Sequence, residues 1–182
     1  MTITQYRDRL RQAKARLIEY APKLVEEMAV SSLSIVKRRS TEDGILKDGV
    51  PGNYAEYNSN TYATSFLKGK ELNAGGRAYT EKNKVGNWAG LRRAQGMKAD
   101  RVNLVYSSRM WTGIQVIRTS RTGNGVFTAV LGAADAETRK KLIANVARYG
   151  AFFVPTDYER RQIAEIAGER MIGLVRDVLN KG

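Results

Sequence analysis

Residues 112–131 read TGIQVIRTSRTGNGVFTAVL, and this segment indicates the fold class most directly. Residues 112–119 and 126–131 are rich in β-branched and apolar side chains, which is typical of strands. Between them, Gly123-Asn124-Gly125 can supply positive φ angles because two of the three residues are glycine. The segment therefore predicts a β-hairpin whose loop is somewhat longer than two residues.

Helices are predicted downstream of this hairpin. Residues 135–148 form an amphipathic pattern with Asp135 in the N-cap position. A short apolar extended piece is expected at 152–155, and Thr156 and Glu159 then make a capping box that begins the last helix. The apolar face of this last helix is predicted to contain Ile163, Ile166, Ala167, Met171, Leu174, Val175 and Val178.

Upstream, residues 3–39 have the period of a long helix. Pro22 has no N–H, so the helix is expected to kink there or to restart. The basic triplet at 37–39 suits a helix C-terminus, and a contact with phosphate is an equal alternative. Alternating spacings of three and four residues place on one face Ile3, Tyr6, Leu10, Ala13, Leu17, Ala21, Leu24 and Met28.

The middle of the chain has a different texture. Nine of the 17 glycines lie between residues 40 and 101, which predicts a loop-rich insertion at 41–100. Alternation then predicts a strand at 102–106. The fold class that follows is α+β, with a long N-terminal helix and a C-terminal helix packed on a small antiparallel sheet. One domain is expected over 1–182.

Composition restricts the chemistry. Cysteine and histidine are both absent, which excludes disulfides, thiolate or imidazole metal sites, and Cys–His or Ser–His nucleophile pairs. An oxygen-only site for Mg²⁺ or Ca²⁺, Ser–Lys chemistry and two-carboxylate chemistry stay open. The close carboxylate pairs at 26–27 and 42–43 fit a helix surface and a turn better than a site. We therefore expect no catalytic residue, no cofactor and no metal.

No apolar run is long enough for a transmembrane helix, and the first 22 residues lack the pattern of a signal peptide. We therefore expect no membrane contact and assembly in a cytoplasm. The net charge of +13 points to nucleic acid or to an acidic protein surface, and charge alone does not choose between them. Basic and aromatic side chains mix in the second half of the insertion, and the candidate contacts with a partner or with nucleic acid are Lys82, Lys84, Trp88, Arg92, Arg93 and Lys98.

Two stretches resemble a known family. Residues 92–117 read RRAQGMKADRVNLVYSSRMWTGIQVI, and residues 148–175 read RYGAFFVPTDYERRQIAEIAGERMIGLV. Together they are similar to the virion-morphogenesis, or tail-completion, family of tailed bacteriophages. In that family a basic segment, a strand, a turn and a second strand precede a hairpin, a helix, an aromatic segment and a capped C-terminal helix. The resemblance covers 92–182 well and 1–40 loosely.

The resemblance implies a non-enzymatic virion protein at the neck of the particle. It implies a homo-oligomeric ring, a hexamer or dodecamer, in contact with portal or adaptor, stopper, tail-terminator or tail-tube proteins, with genomic double-stranded DNA passing through the lumen. The alternative is a basic protein that coats or packages nucleic acid. Exposed hairpin edges would suit contacts between subunits, and the residues expected at such contacts are Trp111, Ile114, Arg121, Gly123, Asn124, Phe152 and Phe153.

Overall fold

A computed structural model describes residues 2–57, 60–67, 72–104 and 109–180. Six helices lie in this part of the chain: α1 (Ile3–Glu42), α2 (Ala74–Lys82), α3 (Trp88–Ala94), α4 (Arg109–Thr112), α5 (Ala136–Tyr149) and α6 (Asp157–Asn180). Four strands accompany them: β1 (Tyr62–Ala63), β2 (Val85–Gly86), β3 (Ile114–Thr122) and β4 (Val126–Ala133). The predicted α+β class is confirmed.

Helix α1 organises the fold. It packs against α6 and also against both strands of the β3–β4 hairpin. It continues through Pro22, so the restart considered from the sequence does not occur. A proline in a helix removes one hydrogen bond and crowds the preceding turn, and the contacts of α1 with α6 and with the hairpin stabilise the helix against that loss. None of the helices in the described ranges combines the length and hydropathy needed to cross a bilayer.

The predicted hairpin is confirmed. Strands β3 and β4 pair antiparallel from Ile114–Ala133 at the base to Thr122–Val126 at the tip. The register shifts between Val116 and Arg118, which places a bulge at Ile117. The strands extend further than predicted, so the connection is a three-residue turn, Gly123–Gly125.

Both predicted helix caps are present. The Asp135 carboxylate accepts a hydrogen bond from the Thr138 N–H at 2.8 Å. At the start of α6, the Glu159 carboxylate accepts from the Thr156 N–H at 2.7 Å, and the Thr156 hydroxyl accepts from the Glu159 N–H at 3.3 Å. The segment before this cap is a turn rather than the predicted extended piece, because the Phe152 N–H donates to the Gly150 carbonyl at 2.8 Å.

The insertion at 41–100 contains more structure than its glycine content predicts. It includes α2, α3 and the two-residue strands β1 and β2, which pair antiparallel. The Ile45 N–H donates to the Val102 carbonyl at 2.7 Å, and the Val102 N–H donates to the Ala55 carbonyl at 2.8 Å. These long-range bonds hold both ends of the insertion against the core.

The strand predicted at 102–106 is wrong for residues 102–104, which belong to no strand. Leu104 has a φ of +53°, a left-handed conformation that interrupts an extended chain. Residues 105 and 106 lie outside the described part.

The main core lies where the second half of α1 meets the base of the hairpin, α4 and the turn after α5. Arg39 joins α1 to α6 beside this core. Its Nη1 forms an ion pair with Glu159 Oε2 at 2.5 Å, and its Nη2 donates to the Phe152 carbonyl at 2.9 Å. Arg39 therefore bridges two helices, a role that the sequence did not suggest for the basic triplet. The buried core cluster consists of Val36, Ile45, Ala55, Val102, Met110, Trp111, Ile114 and Phe152.

Candidate interaction surfaces

The hairpin tip is accessible. Arg121 and Gly123 are exposed, and the Arg121 guanidinium lies over the Phe127 ring, 5.5 Å from its centroid. Asn124 belongs to the turn by its backbone, and its side chain lies outside what the structure describes. The tip therefore presents one cation held against an aromatic ring.

The flanks of the hairpin offer backbone groups for pairing. In the described ranges β3 pairs only with β4, so each strand has a second edge that no other strand covers. Unpaired edges are templates for a strand from another chain. The hairpin also exposes three aliphatic side chains, Ile117, Val126 and Val130.

Three residues expected at contacts between subunits are instead interior. Trp111, Ile114 and Phe152 are buried, and the Trp111 and Phe152 rings meet edge to face with centroids 6.0 Å apart. Phe153 is half-buried and packs edge to face on Phe152 at 5.7 Å. The assignment of Trp111, Ile114 and Phe152 to a surface is therefore corrected, because large apolar side chains next to a turn were needed to fill the core.

Some of the residues of the basic insertion that were predicted to contact a partner are exposed. Lys82, Lys84 and Arg93 are exposed, and Trp88 is half-buried at the start of α3. Lys98 is also exposed, but its ammonium group donates to the Glu42 carbonyl at 2.8 Å. Lys82, Lys84 and Arg93 therefore remain the charged groups of this set that a partner could reach.

Arg92 is interior, which corrects its assignment as a partner contact. Its side chain is 3% exposed, Nε donates to the Lys98 carbonyl at 2.8 Å, and Nη2 donates to Asn103 Oδ1 at 3.0 Å. The guanidinium carbon lies 5.2 Å from the centroid of the Tyr57 ring. Burial raises the pKa of the Tyr57 phenol, although the Arg92 charge acts in the opposite direction. This cation therefore stabilises the insertion from within.

An exposed apolar surface that the sequence did not reveal lies at the start of α1. Ile3 is 89% exposed and Leu10 is 43% exposed, whereas Leu24 on the same face is 7% exposed. The predicted stripe is therefore present, but the described part of the chain leaves Ile3, Tyr6 and Leu10 in its first turns exposed. The many cationic side chains at this end of α1 were the sequence feature that could have indicated its exposure.

Among the described residues, no group of three or more Asp or Glu side chains is arranged to hold a metal ion. Comparisons with family models, with curated proteins and with solved structures find no match to this chain. The assignment of residues 92–182 to tail-completion proteins stays a prediction from the sequence.

Proposed function

We propose that this chain is a structural virion protein of a tailed bacteriophage that forms a ring at the neck and joins or completes the head–tail connection. The observation that carries the proposal is the order of elements after residue 109. A hairpin, a helix, an aromatic turn and a capped C-terminal helix follow one another, which is the order that the resemblance to tail-completion proteins implies.

The accessible hairpin supports this role physically. Strand edges join chains through backbone hydrogen bonds that depend little on side-chain identity. Two different surfaces on each subunit that fit one another produce head-to-tail contacts, and such contacts close into rings when the rotation between subunits is suitable. A hexameric or dodecameric ring would then meet portal or adaptor, stopper, tail-terminator or tail-tube proteins in the virion, after assembly in the host cytoplasm.

The charge of +13 favours one further candidate function, a protein that coats or packages nucleic acid. Lys82, Lys84 and Arg93 are exposed and could contact phosphates. In the neck proposal the genome passes through the lumen, and a uniformly basic lumen would hold it too tightly. We therefore assign most of the exposed cations to neighbouring proteins.

The two functions differ in what the purified protein does by itself. The neck proposal predicts defined rings in native mass spectrometry and electron microscopy without nucleic acid. The nucleic-acid proposal predicts that the monomer binds DNA strongly, with an affinity that falls steeply as salt rises. Tight, salt-sensitive DNA binding by a monomer that never forms rings would overturn the neck proposal.

The hairpin tip is tested inside the particle. Deleting Thr122–Asn124 should leave the monomer folded, because loop tips contribute little to a core. Virions assembled with this variant should lack joined tails or should leak DNA. A matched control replaces Thr122 and Asn124 by alanine at unchanged loop length, which should preserve assembly if backbone edges make the contact. Normal infectious particles from the deletion variant would remove the hairpin from the joining mechanism.

A further inference from the structure

The glycines of the insertion bring its two helices into close contact. Helices α2 and α3 pack on each other, and a Cβ atom at Gly75 would overlap the carbonyl oxygen of Ala94. A Cβ atom at Gly90 would likewise overlap the Tyr79 hydroxyl. Glycine permits such close approach because it has no side chain. The elements β1, α2, β2 and α3 therefore form one packed unit, which we call the α2–α3 module.

Two lysines lie on an ordered edge of this module. Asn83 lies between Lys82 and Lys84, which are both exposed. Its side chain donates to the Tyr79 carbonyl at 2.8 Å, and its carbonyl accepts from the Thr64 hydroxyl at 2.6 Å. The backbone of Asn83 is extended, so the Cα atoms of the two lysines stand about 6.6 Å apart. The edge therefore holds two positive charges close together on a fixed backbone.

Carboxylates are scarce around this edge. Between residues 60 and 99 the described part of the chain contains one, Glu81, and no ion pair joins it to either lysine there. Adjacent residues of a helix point in different directions, so Glu81 and Lys82 do not face each other. The cations of the same stretch are Arg77, Lys82, Lys84, Arg92, Arg93 and Lys98. The charge of the two lysines is therefore available to an anionic partner.

The composition of the edge favours phosphate over a protein surface. Protein interfaces are depleted in lysine and have apolar or aromatic side chains at their centre. In the described part of the module, the large hydrophobic side chains that are exposed are Tyr62 and Val85 alone. Interfaces with DNA are more polar and much more positive than interfaces between proteins. A lysine edge with so little apolar surface therefore fits the DNA backbone better.

Tyr62 adds a neutral donor to the same edge. Its Cα pairs with that of Gly86 in the β1–β2 ladder, and in that ladder the Thr64 N–H donates to the Lys84 carbonyl at 3.1 Å. Tyr62 is 45% exposed. Tyrosine hydroxyls donate to phosphate oxygens, as lysine ammonium groups do. The ladder and the end of α2 therefore present three phosphate donors.

We propose that Lys82, Lys84 and Tyr62 contact backbone phosphates of double-stranded DNA. Contacts with phosphates position a protein on the duplex and do not read the bases. This inference rests on the proposed neck ring, in which the genome passes every subunit. Two lysines give a weak contact in one chain, and several copies around a ring add their contacts on the same duplex. A weak contact from each subunit leaves the genome free to move.

Fluorescence anisotropy with a short labelled duplex of arbitrary sequence measures this contact over a series of salt concentrations. The pair variant carries Lys82→Gln and Lys84→Gln. Both lysines are exposed, so the wild-type melting temperature should be kept. Each neutralised phosphate contributes about 0.9 to the slope of log affinity against log salt. The pair variant should therefore lower this slope by about 1.8 or more, and should lower the affinity at low salt at least about tenfold.

A matched control removes two charges elsewhere. Lys140→Gln with Arg161→Gln changes exposed residues of α5 and α6 and lowers the net charge by the same amount. The control should bind the duplex with the wild-type slope. A control that loses as much affinity as the pair variant would show that the overall charge of +13 binds DNA, and it would overturn the assignment to this edge.

The hydroxyl of Tyr62 is tested by Tyr62→Phe, which keeps the ring. Loss of one hydrogen bond to a phosphate should lower the affinity for the duplex about threefold. The salt slope should stay at the wild-type value, because no charge is removed. Wild-type affinity in Tyr62→Phe would overturn the part of the contact assigned to this hydroxyl.

Native mass spectrometry of the same samples separates this inference from the proposed function. Wild-type rings that bind no duplex even at low salt would overturn the phosphate contact and leave the neck proposal in place. A pair variant that binds DNA like the wild type but yields virions without joined tails would assign the edge to a neighbouring protein and overturn the contact. A wild type that never forms rings would overturn the neck proposal, and the slope of the pair variant then decides the phosphate contact by itself.

Discussion

The two ends of α1 share one amphipathic pattern but differ in their surroundings. At the N-terminal end Ile3 and Leu10 are exposed, whereas at the C-terminal end Val36 and Ser40 are completely buried. The C-terminal end contacts α6 through Arg39 and the base of the hairpin through the core, whereas near the N-terminal end Arg9 contacts only the last turn of α6, at Leu179. An apolar stripe therefore indicates which side of a helix can be buried, but it does not indicate whether another element of the same chain covers that side.

Helix length explains the difference. Helix α1 has 40 residues and α6 has 24, which at about 1.5 Å per residue leaves α1 longer by roughly 24 Å. The antiparallel pair is aligned at the C-terminal end of α1 by Arg39 and Glu159. At the other end, Arg9 contacts Leu179 in the last turn of α6, so about six residues of α1, roughly 9 Å, extend past α6.

The largest effect on stability is expected at the C-terminal end of α1, where Arg39 pairs with Glu159. Arg39→Ala leaves the nearly buried carboxylate of Glu159 without its partner and frees the Phe152 carbonyl, so it should lower the free energy of unfolding by about 3–5 kcal/mol. Denaturant unfolding measures the change. The neighbouring Arg38→Ala is the control, because Arg38 is exposed. Equal effects at both positions would contradict the bridging role of Arg39.

Replacing leucine by alanine in the apolar stripe should reduce stability to different extents at the two ends of α1. Leu24→Ala should cost about 2–5 kcal/mol because Leu24 is buried against α6. Leu10→Ala should change stability by less than about 0.5 kcal/mol because Leu10 lies in the exposed first turns of α1. If Leu10→Ala destabilises the monomer as much as Leu24→Ala does, the first turns of α1 are covered within one chain, and the two ends of the helix do not differ as described.

A smaller effect should distinguish the two capping boxes. Thr156→Ala removes the cap of α6 beside the core and should lower global stability by about 1 kcal/mol. Thr2→Ala should leave the global transition unchanged and increase amide exchange only in the first turn of α1, because that turn can fray alone. A shift of the global unfolding midpoint by Thr2→Ala would show that the first turns of α1 fold cooperatively with the core.

The smallest effect concerns a third cap and depends on pH. The backbone N–H and the hydroxyl of Thr138 donate to the Asp135 carboxylate and hold its pKa below the usual value. A lowered folded-state pKa adds stability that is present above the unfolded pKa and is lost as pH falls through the folded pKa. The advantage of the wild type over Asp135→Asn should therefore be largest near neutral pH and should vanish in acid. An advantage that is independent of pH would show that the charge of the cap is not involved.

Local chemistry made the C-terminal half predictable. The hairpin, α5 with its Asp135 cap and α6 with its capping box depend on residues a few positions apart, so their sequence signals survive in the fold. The last helix also shows the limit, because Ile163 is buried as expected whereas Leu174 is only half-buried. Which part of an apolar face is covered depends on the neighbouring element.

The candidate contacts were less predictable for the same reason. Near a turn, a tryptophan, phenylalanine or arginine side chain can lie either on the surface or in the interior. The amino-acid sequence alone does not distinguish these two locations. Trp111 and Phe152 fill the core, and Arg92 is buried because the Lys98 carbonyl and Asn103 satisfy its guanidinium. These partners come from separate turns that the fold brings together.

The amino-acid sequence by itself determines where the helices and the hairpin form, because hydrogen bonds between near neighbours and the period of apolar side chains are sufficient for these elements. Packing between distant segments determines which side chains are buried and which segments are in contact. The Ile45, Ala55 and Val102 backbones pair, Arg39 meets Glu159, and α6 ends before α1 does. Burial depends on which surfaces the folded chain brings into contact, so the exposure of Ile3 and Leu10 follows from where α6 ends along α1 and not from the amphipathic pattern itself.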